Sequence, residues 1–441
     1  MMSKRLLMLS LLVIFVLTSG FSQTGKIEFE EYDLDNGLHV ILQQDQTTPN
    51  IVVSVMYHVG SKNENPEMTG FAHFFEHLMF EGTDNIPRHQ YDKYVSRAGG
   101  VLNANTSSDR TYYYEKLPSN QLALGLWLES ERMMHAKVEA IGIKTQKGVV
   151  IQEKKQSYDN RPYGRILPET MKRAYVKHPY RWITIGDEKH IENAKDEDFL
   201  NFYKEFYVPN NAVLTICGDF KSEEAKKLVN DYFTEIPKGT KEIYRPSIVE
   251  PVKTAEVRDT VYDNIQLPAV IQAYHIPAVG TSDFYAVDML SKLMTDGKSS
   301  RLYKTLVDEK QLALQMMAFP MPNEDPGLTL AFGIPNMGVD LKVLEKEMDT
   351  QFATVREELI SDSEFQKLRN KIENELVSSN ATIEMRASNL ATAYTYYKDA
   401  GRVNEELEKY FSVTKEDIRD VAQKYFVSKN RVVLYYMPKQ N

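Results

Sequence analysis

Hydrophobic and polar positions change period repeatedly along this chain, and the changes mark its elements. An early stretch, LDNGLHVILQQD, predicts a hairpin, with Asn36-Gly37 carrying the signature of a type I′ turn. Ile51 to Ser61, IVVSVMYHVGS, is a β-rich apolar run with polar ends and predicts a strand. Gly70 to Phe80, GFAHFFEHLMF, has helical spacing. Asp198 to Tyr207 reads as an amphipathic helix, and Asn211 to Cys217 as a strand of the buried type.

That last helix–strand pattern occurs twice. Residues 196–216, DEDFLNFYKEFYVPNNAVLTI, align without gaps on residues 415–435, KEDIRDVAQKYFVSKNRVVLY. The shift is 219 (415 − 196), so Asp198 meets Asp417, Phe206 meets Tyr425, Asn211 meets Asn430 and Val213 meets Val432. A unit repeated at half the chain length predicts internal duplication. Pro237 to Pro251 carries Lys, Gly and Pro with little periodicity and marks the boundary. It separates a first domain over residues 27–240 from a second over 252–441.

The 441 residues are 42% hydrophobic and 26% charged, ordinary for a folded chain with more than one core. Acids outnumber bases 62 to 53, giving a net charge of −9. This speaks against general nucleic-acid binding, which needs a basic footprint. At the N-terminus, Lys4 and Arg5 precede the apolar run Leu6–Leu17 and then small residues to Ser22. This order predicts a cleaved secretory signal over residues 1–22. The run is shorter than the ~20 residues that span a bilayer, so no membrane anchor is expected after cleavage. A lone cysteine, Cys217, excludes an internal disulfide and reads as a small core residue.

The chemistry concentrates in H-F-F-E-H, where His73 and His77 are four apart and Glu76 lies three after His73. On a helix all three share one face, so both imidazoles can reach one ion while the carboxylate approaches water beside it. Two imidazoles alone are too few for catalytic zinc, which takes three protein ligands and keeps one position open. The bland alternative is two helix-surface histidines near a structural glutamate.

The order H-x-x-E-H is that of the inverzincins. On it, and on the residues that follow, the chain resembles the pitrilysin family, which includes insulysin and the catalytic subunit of the mitochondrial processing peptidase. The resemblance implies an α+β fold of two duplicated α/β-sandwich domains, each a mainly antiparallel sheet flanked by helices, together forming half of a clamshell. It implies Glu153 as third ligand, 76 residues after His77 and within KGVVIQEKKQ. It also implies Zn2+ as cofactor, Glu76 as general base, and cleavage of short or unstructured peptides. The stretch GGVLNANTSSDRTYYYEKL corresponds to the family's substrate-aligning edge strand, with Asn103, Ala104 and Asn105 at the substrate-binding positions. A peptide would add there as a further strand; by its residues alone the stretch is equally an ordinary hairpin with Tyr112–Tyr114 packed.

The chain also departs from the family. Aligning HFFEHLM on DMLSKLM puts Asp288, Ser291 and Lys292 where ligands and base would stand, so the second half is expected to bind no metal. The family's Arg and Tyr, seven apart, would fall on Val307 and Leu314, and the nearby Arg301 and Tyr303 have the wrong spacing. The chain has half the length of single-chain members. A partner is therefore expected, as a heterodimer with a homologous zinc-free subunit that supplies the Arg/Tyr pair, or else a homodimer. Gln146 stands where relatives often carry an acid that supports the metal. The expectation is an exported zinc endopeptidase, periplasmic or secreted; the alternative is a non-catalytic subunit that keeps the fold for structure or binding.

Overall fold

The computed structural model describes residues 26–439, and the predicted signal stretch lies outside them. Among the described residues, eleven strands form two sheets. The first holds β1 (Glu30–Asp33), β2 (His39–Gln44), β3 (Asn50–Tyr57), β4 (Val101–Thr106), β5 (Thr111–Pro118) and β6 (Ala212–Gly218), in the order β1-β2-β6-β3-β5-β4. The second holds β7 (Val257–Asp263), β8 (Ala269–His275), β9 (Ala313–Met321), β10 (Leu328–Pro335) and β11 (Arg431–Pro438), in the order β7-β11-β8-β10-β9.

Leaving out β1, the two orders are the same. β6 runs parallel to β2 and antiparallel to β3, and β11 runs parallel to β7 and antiparallel to β8. The repeated segment gives helix Asp196–Phe206 before β6 and helix Lys415–Tyr425 before β11, bounds that differ by the same 219 residues. Duplication is thus visible in sequence and topology alike, and the α+β class is as expected.

The early hairpin forms, but not through a type I′ turn. That turn needs left-handed φ at both central residues, and here Gly37 alone has it, at +87°. Asn36 instead ties the loop to the helix Ser222–Phe233 and the turn after it, its amide donating to the Phe233 and Ile236 carbonyls at 2.8 and 2.9 Å.

Each sheet is covered on one face by its own helices and on the other by a helix from the opposite half. Val40, Val53, Val55 and Leu214 pack under first-half helices. On the reverse face Ile41, Val52, Met56, Val213 and Cys217 meet Ile383, Ala387, Leu390 and Ala391 of helix Ile383–Tyr397. Reciprocally, Met171 and Ala174 of helix Ile166–Ala174 pack on Ile271, Ala273, Val432 and Leu434. Cys217 is a core residue, and burial pushes its thiol well up. Between the sheets a buried ammonium, Lys62 Nζ, sits 3.0 Å from Asp109, 2.6 Å from Glu324 and 3.1 Å from Asp325. Among the described residues no helix is long and apolar enough to cross a membrane.

Candidate metal centre

The motif helix runs Phe71–Leu78 and begins at Gly70, whose φ of +96° lies in the left-handed region that glycine enters without strain. Its first amides are not left bare: the buried Glu64 carboxylate accepts Gly70 N–H and Ala72 N–H, both at 2.9 Å, and Trp182 Nε1–H at 3.1 Å. Burial pushes Glu64 up to about 8 in spite of these donors.

Phe71 stacks on Phe199 with ring centroids 4.6 Å apart, Phe74 packs tilted against the same ring at 4.5 Å, and Phe75 stacks on Phe202 at 5.4 Å. With that face packed, His73, Glu76 and His77 form the half-buried stripe of the helix. Tyr113 OH donates to the Phe75 carbonyl at 3.2 Å and fixes the helix on β5.

Glu153 lies near the end of helix Ala140–Lys154, just before a π-helical turn over Lys155–Asp159. Its Oε1 is 3.6 Å from His73 Nε2 and its Oε2 is 3.2 Å from His77 Nε2. The two imidazoles, His73 foremost, hold the Glu153 carboxyl well below the usual carboxylate range. Among the described residues this is the one group of three His, Cys, Asp or Glu side chains whose donor atoms converge, all within 4.8 Å of one another. Donors bound tetrahedrally at about 2.1 Å stand about 3.4 Å apart, so the observed separations fit a single zinc ion. Two imidazoles and a carboxylate are also a donor set that catalytic zinc uses.

Glu76 does not join that cluster. Its Oε2 accepts a hydrogen bond from Thr106 Oγ1 at 2.6 Å. Thr106 ends β4, which is the outermost strand of its sheet. In the β4–β5 hairpin Ser107 N–H donates to Arg110 O at 2.9 Å. Antiparallel alternation then directs Asn105 and Asn103 toward Tyr112 and Tyr114, and leaves N–H and C=O of Ala104 and Thr106 facing the open edge. Side chains alternate as well, so Ala104 and Thr106 lie on the motif-helix side while Asn103 and Asn105 project from the opposite face, exposed. Asn103 Oδ1 accepts Ala104 N–H at 2.9 Å, and Arg110 bonds both the carbonyl and the side chain of Asn105.

Gln146 does not address the ligands. Its amide donates to Glu81 Oε1 at 2.6 Å, while Arg88 holds the other Glu81 oxygen. This joins the loop after the motif helix to the helix that carries Glu153. In the second half, Lys292 Nζ sits 3.7 Å from Asp288 Oδ2, and Tyr410 OH donates to the same oxygen at 2.8 Å. A carboxylate and an ammonium, facing each other, thus stand at the positions that correspond to the two histidines. Arg301 is clamped by Glu364, Val307 is packed in the second core, and Leu314 lies exposed on β9, so none of them offers the Arg/Tyr function.

Sequence reasoning missed Glu64, Glu81 and Thr106. Glu64 caps the helix from six residues before Gly70, and Thr106 meets Glu76 across thirty residues (106 − 76), so neither has a local pattern. The one available signal was that Thr106 lies in the stretch matched to the substrate strand.

Comparison with known proteins identifies the family. Residues 39–188 match the profile described as Insulinase (Peptidase family M16), and residues 193–372 match the Peptidase M16 inactive domain. The chain is 31% identical over 439 residues to the zinc protease PqqE of Helicobacter pylori, covering 99% of each. The chain belongs to peptidase family M16. A crystal structure of a Helicobacter pylori protease superposes with a TM-score of 0.89 at 30% identity, over 93% of this M16 chain and 100% of that one. A probable β subunit of the mitochondrial processing peptidase in Schizosaccharomyces pombe is 25% identical over 328 residues, 71% of this chain and 70% of its own. The Escherichia coli protease PqqL shares the fold at 18% identity and TM-score 0.75; this M16 chain covers 47% of it, one of its two halves in length.

Proposed function

We propose that this chain is a zinc-dependent endopeptidase that cleaves short or unstructured peptides and is exported to the periplasm. The observation that carries the reading is the convergence of His73, His77 and Glu153 beside a carboxylate, Glu76, that is held apart from them by Thr106. The zinc proteases among its relatives lend support, and residues Met1–Ser22 support export.

His73, His77 and Glu153 would hold the ion, which when bound supplies Lewis acidity toward a carbonyl and acidifies water. The residues of the chain do the rest. The edge-facing Ala104 C=O and the N–H and C=O of Thr106 take an extended peptide as an added strand, with Ala104 N–H joining on release from Asn103 Oδ1, which explains a preference for unstructured substrates. Thr106 engages Glu76 Oε2, so Oε1 is the oxygen that takes the proton of the attacking water and passes it to the leaving amine. Arg and Tyr groups to steady the substrate carbonyl come from a second, homologous zinc-free subunit, since Val307 and Leu314 have no polar side-chain group and Arg301 is held by Glu364.

The test is hydrolysis of an unstructured peptide by the zinc-loaded chain, alone and with the homologous subunit, beside Glu76→Gln. Wild type cleaves, and Glu76→Gln keeps its zinc while losing at least ~100-fold in kcat. A zinc-loaded wild type that cleaves nothing in either setting would leave the non-catalytic subunit as the correct reading.

A further inference from the structure

Resting on that reading, we infer that Thr106 is a positioning residue which orients the general base from within the strand that docks the substrate. Its hydroxyl donates to Glu76 Oε2 at 2.6 Å, the short distance of a charge-assisted O–H···O− bond. Its own N–H and C=O lie at the open edge where a peptide would pair. One residue therefore touches both the docking platform and the base.

The hydroxyl is held fixed from several sides. Threonine is stiff at χ1, and Thr106 pairs across the hairpin with Thr111, whose Oγ1 donates to Val59 O at 2.9 Å. The turn beyond is tightened by Ser107 Oγ, which accepts the N–H groups of Asp109 and Arg110 at 3.1 Å each. Asp109 in turn accepts from Tyr180 OH at 2.5 Å and lies 3.0 Å from buried Lys62. The strand end is thereby tied through Asp109 to Tyr180 and Lys62, and the Glu76 carboxylate is tied to that strand end through Thr106. A strand that needed only to bind peptide would use its backbone and place no demand on this side chain.

The experiment compares Thr106→Val, which keeps the shape and removes the hydroxyl, with Thr106→Ser, which restores it. Zinc per chain, kcat and KM are measured for an unstructured peptide. The Kd of the uncleaved peptide is measured by fluorescence anisotropy in Glu76→Gln and in Glu76→Gln/Thr106→Val. Thr106→Val is expected to lower kcat between about 10- and 100-fold with KM and Kd within about twofold and zinc retained, and Thr106→Ser to recover most of the rate. Full kcat in Thr106→Val, a loss confined to KM, loss of zinc, or no recovery in Thr106→Ser would each overturn the inference while wild-type cleavage leaves the peptidase reading standing. A wild type inactive with and without its partner subunit would overturn both.

Discussion

Asn211 and Asn430 make the same hydrogen bond in the two halves. Each amide donates to the carbonyl five residues before it, Asn211 to Phe206 at 2.7 Å and Asn430 to Tyr425 at 2.8 Å. Each closes the turn between a helix and an interior strand of its sheet. Removing either amide strands a carbonyl at a helix end, so Asn211→Ala and Asn430→Ala should each lower stability by about 1–3 kcal/mol. Guanidinium unfolding midpoints read this directly. Equal shifts would show that the duplicated turns still have equal structural weight.

Gln146 faces a carboxylate, Glu81, so an acid in its place would set two like charges at hydrogen-bonding distance. Gln146→Glu should lower the melting temperature at pH 7.5, and the loss should shrink on acidification to pH 5 as one carboxyl of the pair takes a proton. Gln146→Ala should show no such recovery. Thermal melts at both pH values decide it, and a loss independent of pH would count against the charge argument.

Metal content is a separate readout from activity. Wild type should hold one zinc per chain, and His73→Ala, His77→Ala and Glu153→Ala should each lose it, with affinity falling at least ~100-fold. These side chains are half-buried rather than in the core, so the circular dichroism of the variants should match wild type. Chelation of wild type should reproduce the same state.

In the second half, Arg301 Nε and Nη2 bond the two Glu364 oxygens at 2.8 and 3.0 Å. Arg301 is the main cause that lowers the Glu364 carboxyl to about 2. A carboxyl lowered on folding stabilises the fold at pH above its unfolded value near 4.5, and that contribution disappears as pH falls through about 2. Glu364→Gln should therefore be less stable than wild type at pH 7, with the gap closing between pH 4.5 and 2. Urea midpoints across that window are the measurement, and a gap that persists at pH 2 would assign the loss to packing.

What the sequence discloses follows how local each feature is. His73, Glu76 and His77 are legible because one short helix brings them together through its own period. Glu153 is not: it reaches the cluster on a second helix docked by Gln146 and Glu81, so only likeness to a family picks it out. The Thr106 contact depends on where β4 lies against the motif helix, and no periodicity in either segment encodes that. Asn36-Gly37 shows the converse failure, a strong turn signature overruled because the Asn36 amide finds better use on the Phe233 and Ile236 carbonyls. The covering of the first sheet by Ile383–Tyr397 is equally invisible, since an apolar helix face does not name the sheet it will meet.

That exchange of covering helices also governs how the chain can come into being. On one face the first sheet carries Ile41, Val52, Met56, Val213 and Cys217, and among the described residues no helix of its own half covers them; of that half only Ile27 and Phe29 pack there from outside the sheet. During synthesis this face lacks its helix until Ile383–Tyr397 has been made, 179 residues (397 − 218) after the sheet's last strand ends. A product ending at the linker would expose it permanently, so neither half is a portable module that can be cut out and expressed. The order of translation, as much as the contacts of the finished molecule, decides when the fold can close.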